Sequence, residues 1–147
     1  MEFRNPFYSR PDNSAINMEV NHPSFGWIPF TARETDIEEH CRQLFAEANA
    51  GPVAPYTPPT QEEVRANMPI LTARQFRIGL VRGGFTLAQV TSAIEAIPEG
   101  AAKEEAKIEW EYATTFDRMH PLIASVGAAL GLSDEQIDAM WTAASAL

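Results

Sequence analysis

The residue types able to do chemistry are few in this chain, and they are scattered. Histidine is the usual general base and a common metal ligand, and there are three: His22, His40 and His120. None has a second ligand three or four residues away in a recognised metal spacing, so a zinc site would need long-range convergence. His40 stands beside Cys41, but adjacent helical residues do not share a face. Cys41 is the sole cysteine, which excludes an intrachain disulfide. It reads as a buried thiol at a helical position. No GxGxxG, P-loop or GxSxG pattern occurs, and Gly83-Gly84 reads as a turn between helices. Ser125 and Ser133 have no accompanying His and Asp arrangement.

The carboxylates are the remaining candidates. Glu104, Glu105, Glu109 and Glu111 crowd one stretch, and Glu105 and Glu109 have the i,i+4 spacing that places two acids on one face. Paired acids bind cations or run acid–base chemistry when a cleft lowers the dielectric. Lys103 and Lys107 interleave with them, with Glu104–Lys107 at i,i+3, so a solvated helix face is the expectation. Asp117, Arg118 and His120 crowd a helix junction, where capping and ion pairing are expected. The segment LGLSDEQID invites comparison with a helix-turn-helix. Asp134, Glu135 and Asp138 in the second helix would meet phosphate repulsion in a groove; they suit the positive end of a helix dipole instead. The expectation is therefore no catalytic residues, no cofactor, no metal and no enzymatic activity.

Composition sharpens this. Eleven Lys/Arg stand against twenty Asp/Glu in 147 residues, a formal charge of -9. Residues 1–60 carry four basic and eight acidic side chains, net -4; residues 61–147 carry seven and twelve, net -5. Both halves repel a phosphate backbone, so nucleic acid is not an expected partner. No apolar run reaches the ~18–20 residues of a membrane span. The start, MEFRNPFYSR, lacks the apolar stretch of a signal peptide, which implies synthesis in a cytoplasm. A hydrophobic fraction of 45% is enough for a real core.

The elements divide unevenly. Nine of the eleven prolines fall at or before Pro69. Residues 1–34 read as extended and turn structure. RPDNSA (10–15) has hairpin-turn chemistry, with FYS and INMEV as two short flanking strands. In NHPSFGWIPF (21–30), Pro23 and Pro29 argue against a central strand, and Gly26 allows a bend. A helix is predicted from Thr35, with Thr35 and Glu38 at capping-box spacing, an apolar face of Ile37, Cys41, Leu44, Phe45 and Ala48, and a stop at Gly51-Pro52. GPVAPYTPPT (51–60) holds four prolines and favours a polyproline-like course. It reads either as a stiff connector or as an arm across a neighbouring subunit. Residues 61–69 add a short helical turn.

From Thr72 the signals become regular. Capping boxes are predicted at Thr72–Gln75, Thr86–Gln89 and Ser133–Gln136. Phe76 and Leu80 line the first of these helices, and Leu87, Val90, Ile94 and Ile97 the next. A longer helix is predicted over roughly 100–117, with Ala106, Trp110, Ala113 and Phe116. His120 caps another, with Pro121 at its favoured first position and Leu122, Val126, Ala129 and Leu130 on its face. Ile137, Met140, Trp141 and Ala144 close the set. The expected fold is mainly α: a compact C-terminal helical bundle preceded by an irregular Pro/aromatic-rich arm with a short β-hairpin. The expected division is 1–60 as arm, helix and connector, and 61–147 as helical domain. Trp110 and Trp141 suit a core. Trp27 lies where no large core is predicted, so residues 1–34 either fold back on the helices or dock on another chain.

Several of these segments resemble small bacteriophage and prophage tail or tail-fibre-associated proteins. FYSRPDNSAI, GWIPFTA and GPVAPYTPP are similar to the start of fibre-type and fibre-assembly proteins. LTARQFRIGLVRGGFTLAQV, AKIEWEYATTFDRMHPLI and LGLSDEQIDAMW resemble their helical C-terminal region. The resemblance implies a structural virion component of a tail, collar or baseplate region, acting as an adaptor or fibre-associated subunit, assembled in the host cytoplasm. Its partners would be other phage structural proteins, in a symmetric assembly. A tail-fibre assembly chaperone and a small enzyme acting on a cell-wall polymer are the alternatives. The chain has no shaft repeats or receptor-binding domain. The residues expected to make protein contacts are Tyr8, Phe25, Trp27, Ile28, Phe30, Tyr56, Pro58 and Pro59.

Overall fold

The computed structural model describes residues 1–147 and divides into two units, Met1–Pro59 and Thr60–Leu147. The first unit corrects the expected fold class. It is a three-stranded antiparallel meander with its own core, so the protein is mixed α and β, 46% helix and 18% strand, and has no irregular arm. The strands β1 (Phe3–Tyr8), β2 (Ala15–His22) and β3 (Gly26–Arg33) lie in that order. The positions of the prolines allow the sheet despite their number. β2 has none and takes the centre; Pro29 falls on an edge strand, where a missing N–H need not cost a ladder bond.

Pro6 falls in a β-bulge. Arg4 pairs with Glu19 and Phe7 with Asn17, so Asn5 and Pro6 together oppose a single residue, Met18. Asn5 takes a left-handed conformation, φ 54°, which asparagine tolerates better than most residues. The extra residue shifts the strand's alternation by one. Phe3 and Tyr8 consequently share the inner face, opposite Val20 and Ile16, while Arg4 and Phe7 share the outer one.

The turn before β2 follows its chemistry. Asp12 Oδ1 accepts from the Ser14 N–H at 3.0 Å, and Asn13 takes the left-handed φ of 58°. Along β2 the alternation then buries Ile16, Met18 and Val20. They meet Ala32, Phe30 and Ile28 of β3 in register. Helix α1 (Glu39–Asn49) closes this face with Cys41, Leu44, Phe45 and Ala48, spaced as one helical stripe. Each fully buried aliphatic side chain contributes about 1.5–3 kcal/mol. This helix starts four residues later than predicted. Asp36, rather than Thr35, receives the Glu38 N–H at 3.1 Å, and the Arg42 guanidinium holds the Asp36 and Ile37 carbonyls. Ile37 is left outside the helix and is 92% exposed.

The connector is not a free arm at its start. Ala54 forms a parallel bridge to the β1 edge, donating to the Pro6 carbonyl and accepting from the Tyr8 N–H, both at 3.0 Å. Val53 packs on the core of this unit.

The second unit contains α2 (Gln61–Ala66), α3 (Ala73–Arg82), α4 (Leu87–Glu95), α5 (Ala101–Tyr112), α6 (Pro121–Ala129) and α7 (Asp134–Ala144). Capping boxes begin α3, α4 and α7 at the three predicted positions, and a fourth, Thr60–Glu63, begins α2. His120 Nδ1 accepts from the Leu122 N–H, with Pro121 in the first turn of α6. The predicted helix over 100–117 stops at Tyr112 instead. Ala113 turns extended, and β5 (Thr115–Phe116) pairs antiparallel with β4 (Leu71–Thr72). That small ladder sets Leu71 and Phe116 opposite one another, both essentially inaccessible. Phe76 lies among Phe116, Trp141 and Trp110 at centroid distances of 5.0, 5.7 and 6.3 Å. The buried indole of Trp141 donates to the Pro69 carbonyl at 2.7 Å.

Candidate functional site

Because α1 covers one face of the sheet, the other face of the first unit carries a distinct group of side chains. Strand pairing places Arg4, Glu19 and Pro29 in one row and Phe7, Asn17 and Thr31 in the next. The Arg4 guanidinium bonds Glu19 Oε2 at 2.8 Å and lies 4.2 Å from the centre of the Trp27 ring. Asn5 Nδ2 donates to the same Glu19 oxygen at 3.0 Å, and the Thr31 hydroxyl donates to Asn17 Oδ1 at 2.8 Å. Hydrogen bonds from Arg4 and then Asn5 hold the Glu19 carboxyl below the usual glutamate range. A shallow groove of about 380 Å³ runs between Asn5, Phe7, Asn17, Glu19, Pro29 and Thr31. Aromatic area flanked by planar polar groups is the composition of a protein-contact surface.

The predicted contact residues separate into two sets. Phe25, in the β2–β3 turn, is 75% exposed and stacks on His22 at 4.8 Å. Trp27 lies on the outer face, half-buried beneath Arg4. Ile28 and Phe30 point the other way and pack on the core with Tyr8, whose hydroxyl donates to Asn49 Oδ1 at 2.6 Å. Tyr56 is half-buried, and Pro58 and Pro59 are exposed. Phe7, Arg4 and Asn5 were not anticipated. Their placement depends on the bulge, for which the asparagine–proline pair at 5–6 was the available signal.

Near the start of α1 the imidazole of His40 does reach Cys41, with Nε2 to Sγ at 3.4 Å, contrary to the expectation that neighbouring residues point apart. Glu38 Oε2 is 4.0 Å from His40 Nδ1. The order thiol, imidazole, carboxylate has the outline of an activated nucleophile. The thiol environment opposes it: burial, then the Asp36 and Glu38 carboxylates, push the Cys41 pKa up, away from thiolate.

In the second unit the acids predicted to be a solvated face are divided by it. Lys103 is 5% exposed and bridges Glu99 at 2.6 Å and Glu95 at 3.3 Å, while Lys107 meets Glu95 and Glu104. These bonds, with the Lys107 and Lys103 ammoniums respectively as the first cause, hold Glu95 and Glu99 low. Glu105 and Glu109 instead line a cleft of about 320 Å³ between α5 and α6, with His120 and Ser125. His120 Nδ1 is occupied by the Leu122 N–H, which leaves Nε2 as the protonated nitrogen facing Glu109 at 3.7 Å. The Ser125 hydroxyl donates to the Pro121 carbonyl at 3.1 Å. A serine–histidine nucleophile needs an imidazole lone pair aimed at the hydroxyl, and neither ring nitrogen supplies one here.

Asp134, Glu135 and Asp138, considered above for a DNA-reading helix, are ligands of two arginines. Asp138 joins Arg118 at 2.7 Å and Arg65 at 2.9 Å; Asp134 adds Arg118 at 3.1 Å, and Glu135 lies 3.5 Å from Arg65. No group of three or more His, Cys, Asp or Glu side chains is placed to hold a metal ion, and no helix is long and apolar enough to cross a membrane. No protein-family model, curated protein or solved structure matches the chain.

Proposed function

We propose that this chain is a non-enzymatic structural subunit of a phage tail, collar or baseplate region, an adaptor that grips neighbouring virion proteins through its first unit. It assembles in the host cytoplasm and ends in the particle. One observation carries the contact surface: within the first unit, α1 packs on one face of the sheet, and the opposite face presents Phe7, Trp27 and Arg4. The assignment to a virion rests only on the resemblance to tail and fibre-assembly proteins read from FYSRPDNSAI, GWIPFTA and GPVAPYTPP in the sequence. Proteomic analysis of purified particles tests it, with the chain expected at a fixed stoichiometric ratio to tail proteins. Its absence from intact particles defeats the proposal. Recovery with immature fibres alone replaces it with an assembly chaperone.

A further inference from the structure

The two edges of the sheet in the first unit are finished differently. The Asn21 N–H bonds the Glu2 carbonyl, and the Ala15 carbonyl accepts from the Ser9 N–H, both at 2.9 Å. The main-chain groups of Ala15, Asn17, Glu19 and Asn21 therefore point toward β1, and those of Ile16, Met18, Val20 and His22 toward β3. In the observed register these four meet Ala32, Phe30, Ile28 and Gly26. Trp27, Pro29, Thr31 and Arg33 consequently turn their main-chain groups away from the sheet. At the β1 edge the equivalent groups, the Pro6 carbonyl and the Tyr8 N–H, are satisfied by Ala54. At the β3 edge they are not. The Trp27, Thr31 and Arg33 N–H groups and the Trp27, Pro29 and Thr31 carbonyls bond no group of the protein, and the Arg33 carbonyl alone is used, by the Asp36 N–H at 3.4 Å. Pro29, Thr31 and Arg33 are exposed.

We propose that the β3 edge receives an extended, proline-free segment of a different protein, antiparallel to β3 and basic at its N-terminal end. Donors and acceptors that repeat every second residue, about 7 Å apart, are matched by another extended main chain. The connector already closes the β1 edge in this way through Ala54. A second copy of the chain is the weaker occupant. Full two-fold pairing of β3 with another β3 sets two Pro29 residues on the bonding edges and loses two donors, whereas a proline-free strand loses one. Two molecules of charge -9 also repel. Glu34, Asp36, Glu38 and Glu39 follow the strand against Arg33 and Arg42, so its C-terminal end is acidic and favours a basic neighbour. Side chains of the added strand on the outer face lie beside Trp27, Pro29 and Thr31, where β-branched residues fit. The proposal stands independently of whether the chain resides in a virion.

The test is amide hydrogen exchange of the intact protein, read by NMR. In the free protein the Trp27, Thr31 and Arg33 amides are expected to exchange much faster than those of Ile28 and Phe30, which face β2. The probes are the peptide acetyl-Lys-Lys-Val-Thr-Val-Thr-Val-amide and the same peptide with every backbone nitrogen methylated. The first is expected to slow exchange at the three outward amides about tenfold at saturation, and the second to leave them unchanged. Pro29→Val supplies one more outward donor and is expected to tighten binding of the first peptide about fivefold. The proposal is overturned by no protection up to about 10 mM peptide, by equal protection from the methylated peptide, or by unchanged affinity in Pro29→Val. Protection of the three amides that rises with the concentration of the chain alone also overturns it, because a second copy would then hold the edge.

Discussion

The guanidinium of Arg118 and the carboxylate of Asp138 meet at 2.7 Å with side chains only 3% and 18% exposed, making a largely desolvated ion pair between the segment before α6 and helix α7. Such a pair adds little net stability compared with an apolar substitute, but removing one partner strands a buried charge. Asp138→Ala is therefore expected to destabilise the second unit by about 3 kcal/mol. The value falls at the low end of the usual range because Asp134 still reaches Arg118. Urea unfolding followed by tryptophan fluorescence measures it, and a loss under about 1 kcal/mol would show that the Arg118–Asp138 pair does not hold α7 in place.

Acid should loosen the contact between α4 and α5. Glu95 and Glu99 have folded-state pKa values below the ordinary 4.5, so their contribution is complete above that pH. It is lost as pH falls through the depressed values. Lys103 shifts upward, first through its bond to Glu99, so its share persists below 10.5 and disappears as pH rises through the elevated value. Replacing Lys103 with Met is expected to flatten the acid limb of stability against pH below about 4.5. An unchanged acid limb would show that the two glutamates do not depend on Lys103.

Helix α3 approaches α7 closely enough that a side chain on Gly79 has no room. An added Cβ would stand 2.7 Å from the Ala144 Cβ. Gly79→Ala gains up to about 1 kcal/mol in helix propensity, while overpacking costs about 1–3 kcal/mol. Net destabilisation is the expected outcome, read as a lower thermal midpoint. Gly84→Ala, which meets no neighbour but has φ 91°, tests backbone strain separately.

The two faces of the first unit should respond differently to truncation. Phe30→Ala removes a partly buried ring packed against Met18 and α1, and is expected to cost about 2 kcal/mol. Phe25→Ser alters an exposed turn residue, and is expected to change stability by less than about 0.5 kcal/mol. Under the proposed virion role, incorporation into particles is expected to fall with Phe25→Ser and Trp27→Ala, scored by quantitative proteomics of virions. Normal incorporation of both variants would move the contact surface elsewhere.

Cys41 should be unreactive while the protein is folded. Its thiol is buried and its pKa raised by that burial and by Asp36 and Glu38. Modification by a thiol-specific reagent at neutral pH is expected to follow the unfolding transition in urea. Rapid labelling of the native protein would instead mark the Cys41–His40 pair as accessible and activated.

Local signals in the sequence determined much of the second unit. A hydroxyl residue and a Gln or Glu three positions later meet within one turn, so the boxes at Thr72, Thr86 and Ser133 require no distant partner. The same locality makes the Phe76–Leu80 and Val90–Ile94 stripes legible, and the turn chemistry of Asp12 and Asn13 as well. Tertiary structure decided what depended on groups far apart in the chain. Phe116 left its predicted helix because Leu71, 45 positions earlier, offered a strand partner. Lys103 became buried because Glu95 and Glu99 neutralise it there. The aromatic first half became a cored sheet because Pro6 and Pro29 occupy a bulge and an edge, where a missing N–H costs little, leaving the proline-free β2 for the centre. That arrangement also sent Phe30 into the core and Trp27 outward. Composition makes these aromatic side chains alike; strand register, which is a pairing between segments, makes one structural and the other available for contact.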